Sequence, residues 1–215
     1  MATPTKLEFA VQMTCQSCVD AVNSVLKDKP GVQSVDVMLD TGQVVVTTTL
    51  PSDSVKQMIE STGRLAALQG SGGSYTGQQG AAVAAMNIGS QEIKGVVRMI
   101  QASDDKCVFE GTVDGLPPGR HAKGMLEELQ VGQNGRATFR FDNMDLKVPE
   151  LIGRSVIIHK GTQPSLDTRL VCGIIARSAG LFQNTKRLCA CDGVTIWEER
   201  NRPIAGVERS KPAQL

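Results

Sequence analysis

Aromatic side chains and net charge are both scarce in this sequence of 215 residues. It contains five phenylalanines, one tyrosine and one tryptophan, and its formal net charge is +1. Proteins that bind nucleic acids present a basic surface and stacking rings, and this composition supplies neither. We therefore expect no nucleic-acid partner.

Long apolar runs are also missing. No window approaches the roughly 18 apolar residues of a membrane-spanning helix. The first six residues, Met1 to Lys6, show no basic stretch followed by an apolar one, as a secretory signal would. We therefore expect a cytoplasmic protein, in which the six cysteines stay reduced and favour metal or redox roles over structural disulfides.

A glycine-rich segment divides the chain. Residues 70–80 hold five glycines and two serines, a composition that predicts a flexible linker. Upstream, apolar periodicity predicts the order βαββαβ, with Ser52 as N-cap of the second helix. This order is typical of a ferredoxin-like domain, here residues 1–69. The predicted strands are 6–13, 32–39, 43–50 and 64–69, and the predicted helices are 17–28 and 53–61.

Cys15 and Cys18 lie one helical turn apart at the junction between the first strand and the first helix. Two thiolates suit copper(I), a soft ion that accepts two sulfur ligands. Cys18 falls in the first helical turn, where free N–H groups lower a thiol pKa. We expect Arg64 near this loop, where it would offset the charge of a bis-thiolate complex, and Met13 as a packing residue. A thioredoxin-like redox pair is the alternative for this spacing.

A second pair, Cys189 and Cys191, lies near the other end of the chain. In an extended segment these residues point the same way, with Cα atoms roughly 6.6 Å apart. That separation is near the upper limit for a disulfide, so an oxidised pair is strained and can pass its oxidation to another dithiol. The reduced pair presents two sulfurs to copper(I). The alternative is two incidental cysteines.

After the glycine-rich segment, the pattern predicts strands without helices. This arrangement is typical of an antiparallel β-sandwich. The predicted strands are 81–86, 93–101, 107–113, 137–141, 155–159 and 170–177.

Several segments of this region resemble Cu/Zn superoxide dismutase: Gly111 to His121, Leu151 to His159 and Arg169 to Gly173. With Met13-Thr14-Cys15-x-x-Cys18 before them and the tail from Gly180 to Arg200 after them, the chain is similar to the copper chaperones for superoxide dismutase. The resemblance implies four parts: a heavy-metal-associated domain (1–69), a linker (70–80), a truncated all-β, Greek-key sandwich like the dismutase (81–179), and a mostly irregular CxC tail (180–215).

The resemblance also implies a function. Copper(I) would be carried on Cys15, Cys18, Cys189 and Cys191 and delivered to Cu/Zn superoxide dismutase, which the middle domain would bind as a heterodimer. The tail pair would assist oxidation of the target's disulfide, and no other catalytic residue is expected. Further candidate partners are a second copy of the chain and a copper importer. Further locations in the family are the nucleus and the mitochondrial intermembrane space.

This sequence departs from the dismutase pattern between residues 121 and 131. The family's HxH strand and zinc loop are replaced there, and the whole chain has two histidines, too few for a copper-zinc site. We therefore expect no dismutase activity, and a bound zinc ion is unexpected because the zinc-loop ligands are missing. His121 is predicted on the surface, and His159 is predicted as an ordinary strand-end residue.

The same departure affects the remaining cysteines and the middle domain. Cys172 is expected as a free thiol, because its partner would lie in the missing loop, and Cys107 is expected in the core. Loss of one or two strands predicts exposed sheet edges and low stability for the middle domain. Two alternative functions remain open. One is a thiol-disulfide oxidoreductase acting through the CxC pair, and the other is a copper buffer or decoy that does not dock because its middle domain is damaged.

Overall fold

The computed structural model describes residues 2–73, 80–122, 126, 128–184 and 197, which form two antiparallel sheets. None of the described helices is long and apolar enough to cross a membrane. The elements of the first domain are β1 (Thr5–Val11), α1 (Gln16–Leu26), β2 (Val32–Met38), β3 (Gln43–Thr48), α2 (Ser52–Glu60) and β4 (Ala66–Gly73). Those of the second are β5 (Ala81–Met86), β6 (Lys94–Ser103), β7 (Lys106–Asp114), β8 (Gly119–Ala122), β9 (Glu128–Val131), β10 (Ala137–Asn143), α3 (Val148–Leu151), β11 (Ser155–Lys160) and β12 (Arg169–Arg177).

The first domain has the predicted βαββαβ order, and its sheet runs β2-β3-β1-β4. Alternate residues of β1 point into a core that the two helices cover, because a strand presents successive side chains to opposite faces. Leu7, Phe9 and Val11 belong to this core. The ferredoxin-like prediction is therefore confirmed.

The first domain extends past the predicted start of the linker, because β4 continues through Gly73. The glycines of β4 allow the backbone of other segments to approach this strand closely. A Cβ on Gly70 would clash with the carbonyl oxygen of Gly180, and one on Gly73 would lie 2.7 Å from the carbonyl oxygen of Ala102. The first glycines of the segment 70–80 thus let other chain segments pack against β4.

The second domain is a largely all-β, barrel-like unit. Its eight strands follow the order β10-β7-β6-β5-β12-β11-β8-β9. The two end strands, β9 and β10, also contact each other, so the sheet curls around one apolar core. Phe109, Phe141 and Ile158 are buried in that core, and the rings of Phe109 and Phe141 stack at 5.1 Å.

The segment expected to leave the middle domain short of strands contains two strands that the sequence did not predict. β8 pairs with β11 and β9 pairs with β8, and Leu129 and Val131 of β9 bury their side chains in the core. Within the described residues, the replacement segment therefore supplies strands to the sheet.

The two domains meet along the outer face of β6, β7 and β10. Arg98, Glu110 and Arg140 lie side by side on these three strands. The start of the chain packs there, since Asp142 accepts a hydrogen bond from the Thr3 N–H (2.9 Å) and Arg140 donates one to the Thr3 carbonyl (2.7 Å). β1 begins beside the second domain and ends at the cysteine loop, which consequently lies at the far end of the first domain.

Candidate metal centre

The cysteine loop joins β1 to α1. Cys15 is the N-cap of α1, with an extended backbone (φ −158°, ψ 170°), and the Cys18 N–H donates to the Cys15 carbonyl (3.0 Å) in the first helical turn. This turn brings the two sulfurs to 3.7 Å. The Cys15 side chain is exposed, whereas Cys18 is buried. One ion entering from solvent at Cys15 can reach both sulfurs.

The pKa of Cys18 is lowered from its ordinary value of 9.0 to about 6. The largest cause is a backbone hydrogen bond from Thr14, followed by a side-chain hydrogen bond from Arg64, while burial acts in the opposite direction. The donors favour the thiolate, which is the form that binds a soft metal. Cys18 is therefore largely a thiolate at neutral pH.

Arg64 follows α2 and reaches back to the cysteine loop. Its Nη1 donates to the carbonyl of Thr62 (2.6 Å), which fixes the guanidinium beside Cys18, and its buried Nε has no partner among the described residues. The expected placement of Arg64 near the loop is confirmed. Its effect on a bound copper ion stays a prediction.

Neighbouring residues complete the loop. Ser17 Oγ lies 3.0 Å from Cys15 Sγ, and Thr14 Oγ1 lies 3.9 Å from Cys18 Sγ. Met13 packs against the apolar core, as predicted. Thr14, next to the Cys-x-x-Cys motif, and Ser17, inside it, are two residues of the site for which the sequence predicted no role.

Cys189 and Cys191 lie outside the described residues. The other two cysteines lie in the second domain: Cys107 is fully buried, as expected, and Cys172 carries a free, half-buried thiol. Burial raises the pKa of Cys107 to about 12, so this thiol stays protonated. In the part of the chain that the structure describes, no three His, Cys, Asp or Glu side chains cluster as metal ligands.

The prediction of a surface role for His121 is wrong, because its side chain is only 1% exposed. Its ring nitrogens lie 3.2 Å from the carbonyl oxygen of His159 and 2.7 Å from that of Pro117. The ring thus ties β8 to β11 and to the loop before β8. His159 is also buried and lies 3.1 Å from the Thr168 hydroxyl.

Residues 8–64 match the family model of the heavy-metal-associated domain. The first part of the chain is thus a heavy-metal-associated domain with its cysteine pair between β1 and α1. Over 257 aligned positions, the chain is 45% identical to the copper chaperone for superoxide dismutase of Mus musculus, covering 97% of this chain and 93% of the relative. This chain therefore belongs to the family of copper chaperones for superoxide dismutase.

Two further known proteins are similar to this chain. The copper chaperone for superoxide dismutase of Homo sapiens is 43% identical, with 97% of this chain and 93% of that protein covered. A solved structure of the apo heavy-metal-associated domain of such a chaperone is 57% identical over 32% of this chain and 69% of that chain, with a TM-score of 0.31. The alignment to the mouse protein is longer than this chain, so the relative has residues for which this chain has none. Nothing in these comparisons supports an oxidoreductase or a copper buffer.

Proposed function

We propose that this chain carries copper(I) on Cys15 and Cys18 and delivers it to Cu/Zn superoxide dismutase. The observation that carries the proposal is the sulfur pair itself. Its two sulfurs are 3.7 Å apart, one is exposed, and hydrogen bonds favour the thiolate of the other. The names of the relatives supply the target.

Delivery proceeds by ligand exchange between thiolates. Copper(I) moves from Cys15 and Cys18 to Cys189 and Cys191, and from there to the target, without release of the free ion. The disulfide form of the tail pair takes two electrons from the target's two thiols by exchange and so oxidises them. The chain itself has no dismutase activity and holds no resident zinc ion, because its two histidines cannot provide such a site.

The middle domain supplies the docking surface, and we propose that its sheet adopts the Greek-key arrangement of the dismutase. Residues 152–154 and residues 172–176 resemble the two segments of the dismutase dimer interface, and they lie side by side. Gly153 N–H donates to the Ile175 carbonyl (2.9 Å), and Ile175 N–H donates to the Arg154 carbonyl (2.8 Å). Ile174, which belongs to the second of these segments, is 61% exposed. An exposed apolar side chain of this size beside a matching segment supports docking of the dismutase as a heterodimer here. A second copy of the chain would use the same surface.

The remaining expectations belong to the same proposal. The site of action is the cytoplasm, with the nucleus and the mitochondrial intermembrane space as further locations, and a copper importer is the source of the ion. A cytosolic pool of reduced thiols keeps Cys15 and Cys18 ready to bind copper(I).

The test is copper delivery from the purified, copper(I)-loaded chain to reduced, copper-free superoxide dismutase. We expect recovered dismutase activity, which is lost with Cys15→Ser/Cys18→Ser and with Cys189→Ser/Cys191→Ser. Ser24→Ala, at an exposed serine of α1, is the control and keeps delivery. Absence of recovery from the loaded, unsubstituted chain would overturn the proposal.

A further inference from the structure

A buried carboxylate on the metal-binding domain has partners at the root of the C-terminal segment. Glu8 lies on the sheet face opposite the helices and is only 2% exposed. Its Oε2 accepts the backbone N–H of Phe182 (2.6 Å), and its Oε1 accepts the side-chain amide of Gln43 (2.5 Å). Phe182 comes after β12, the last strand of the second domain, so this bond joins two distant parts of the chain.

Residues 179–183 pack closely against strand β4 and Glu8. The Ser71 N–H donates to the Ala179 carbonyl (3.4 Å) along the edge strand β4. Gly180 is buried against Gly70, where a Cβ would clash, and Leu181 would lie 3.0 Å from a Cβ on Gly72. Gln183 Oε1 accepts the Gly180 N–H (2.9 Å) and closes the turn. Backbone pairing, two small residues and a buried carboxylate therefore act together as an anchor, which we call the Glu8 anchor (Glu8, Gly70, Gly72 and residues 179–183).

The anchor sets the length of the chain segment that connects the tail cysteines to the metal-binding domain. Cys189 is the fifth residue after Asn184. An extended chain covers at most about 3.3–3.6 Å per residue, so these five steps span at most about 17 Å. From Glu8 to the end of β1 beside the cysteine loop is three residues, or about 10 Å along the strand. A tail that starts at Glu8 is therefore long enough to bring its first cysteine to the cysteine loop of the same chain.

We propose that Glu8 is a positioning residue: by fixing residues 179–183 on the metal-binding domain, it shortens the tether through which Cys189 and Cys191 reach Cys15 and Cys18. This inference rests on the proposed function. In the exchange, each copper–sulfur bond broken at Cys15 and Cys18 is replaced by one formed at Cys189 or Cys191. The thiol protons of the tail pass to solvent, and Cys18 stays largely a thiolate. Copper stays in the +1 state, so no oxidant or reductant is needed.

Without the anchor, the tether runs from Arg177, the end of β12, and is twelve residues long instead of five. The effective concentration of a tethered group falls roughly as the −3/2 power of tether length, so releasing the anchor lowers it about fourfold. Glu8→Gln releases it, because both partners of the carboxylate are donors and an amide offers one acceptor only. Gly70→Ala releases it by a different route, since the new Cβ would displace Gly180.

The first experiment is copper-free and uses the full chain with Cys172→Ser as background. A short bis-maleimide cross-links the Cys15–Cys18 pair to the Cys189–Cys191 pair within one chain, and mass spectrometry follows the rate. We expect Glu8→Gln and Gly70→Ala each to slow cross-linking about fourfold, whereas Glu150→Gln, an exposed glutamate, and Gly132→Ala, whose Cβ has room, leave it unchanged. Unchanged rates in both test variants, with their thermal unfolding intact, overturn the anchor.

The second experiment separates this inference from the proposed function. Copper(I) delivery to reduced, copper-free superoxide dismutase is measured with the same variants, together with their copper(I) affinity. We expect slower delivery at unchanged affinity. Slower cross-linking with unchanged delivery overturns the positioning role, whereas no delivery even from the unsubstituted chain overturns the proposed function and leaves the cross-linking result standing.

Discussion

The backbone N–H of Ser52 donates a hydrogen bond to Glu110 Oε2 (3.1 Å) and so joins the first turn of α2 to strand β7 of the other domain. The prediction of Ser52 as the N-cap is wrong, because Ser52 is the first residue of α2 and Pro51, which offers no side-chain hydrogen bond, is the N-cap. The partner of this helix end is a carboxylate 58 residues away. A negative charge at a helix N-terminus is favourable, because unpaired N–H groups and the helix dipole face it. The bond also places α2 against the row formed by Arg98, Glu110 and Arg140.

Replacing Glu110 with glutamine should destabilise the folded chain. Glu110 is 1% exposed, and the pKa values of Arg98 and Arg140, which burial lowers, are raised again by its charge. The amide removes the charge that both guanidiniums face, which should cost about 1–3 kcal/mol in free energy of unfolding. Urea unfolding measures the change. Glu150→Gln, at an exposed position, should stay within about 0.5 kcal/mol, and equal stability of the two variants would contradict the assignment.

The reactivity of Cys18 should follow a thiolate with a pKa of about 6. Its alkylation by iodoacetamide should rise through pH 6 and level off above it, whereas Cys107, with a pKa of about 12, stays unmodified at neutral pH. Because the folded pKa lies below the ordinary value of 9.0, ionised Cys18 stabilises the fold. That contribution is complete above pH 9 and is lost as pH falls through 6. Mass spectrometry of single-cysteine chains gives the profiles, and a Cys18 midpoint near 9 would contradict them.

Replacing Arg64 with methionine should raise the pKa of Cys18. The substitution removes the second-largest cause of the lowered value and leaves the Thr14 backbone bond in place, so the midpoint should move up without returning to 9.0. The alkylation profile of Cys18 measures it. Arg169→Met, at an exposed arginine of the second domain, is the matched control and should leave the midpoint where it is; an equal midpoint in the Arg64 variant would refute the role given to Arg64.

Replacing His121 with phenylalanine should destabilise the second domain. The ring is retained, but the carbonyls of His159 and Pro117 lose their contacts with its nitrogens. Loss of buried hydrogen bonding should cost about 1–3 kcal/mol. His159→Phe is the comparison and should cost less, because among the described residues that ring has one hydrogen-bond contact, to the Thr168 hydroxyl. Thermal unfolding measures which of the two variants is less stable. A larger destabilisation by His159→Phe would contradict the prediction.

Replacing Ile174 with aspartate should weaken binding to superoxide dismutase without changing the fold. Ile174 is 61% exposed, so the aspartate stays in water in the free chain, but it would be desolvated in a docked complex. We expect at least about a tenfold loss of affinity by calorimetric titration with the copper-free enzyme. Leu166→Asp, which is also exposed but lies outside both matching segments, should bind normally. Equal affinity of the two variants would place docking elsewhere.

The sequence by itself determined the βαββαβ domain, the position of Cys15 and Cys18 between β1 and α1, and most strands of the second domain. These features depend on local periodicity and on spacing within one turn, which a single segment carries. The sulfur pair could be predicted for the same reason, because one helical turn separates its members.

Tertiary structure decided what depends on distant residues. The glycines from Gly70 to Gly73 lie in β4 and not in a linker. Their missing side chains let neighbouring backbone approach the strand closely, and the same composition is typical of a linker, so the sequence alone cannot tell the two apart. The short strands β8 and β9 are fixed by their partners, and His121 is buried by contacts with β11 and Pro117. Glu8 and Glu110 are ordinary glutamates in the sequence. Folding gives them roles, because their hydrogen-bond donors come from 174 and 58 residues away.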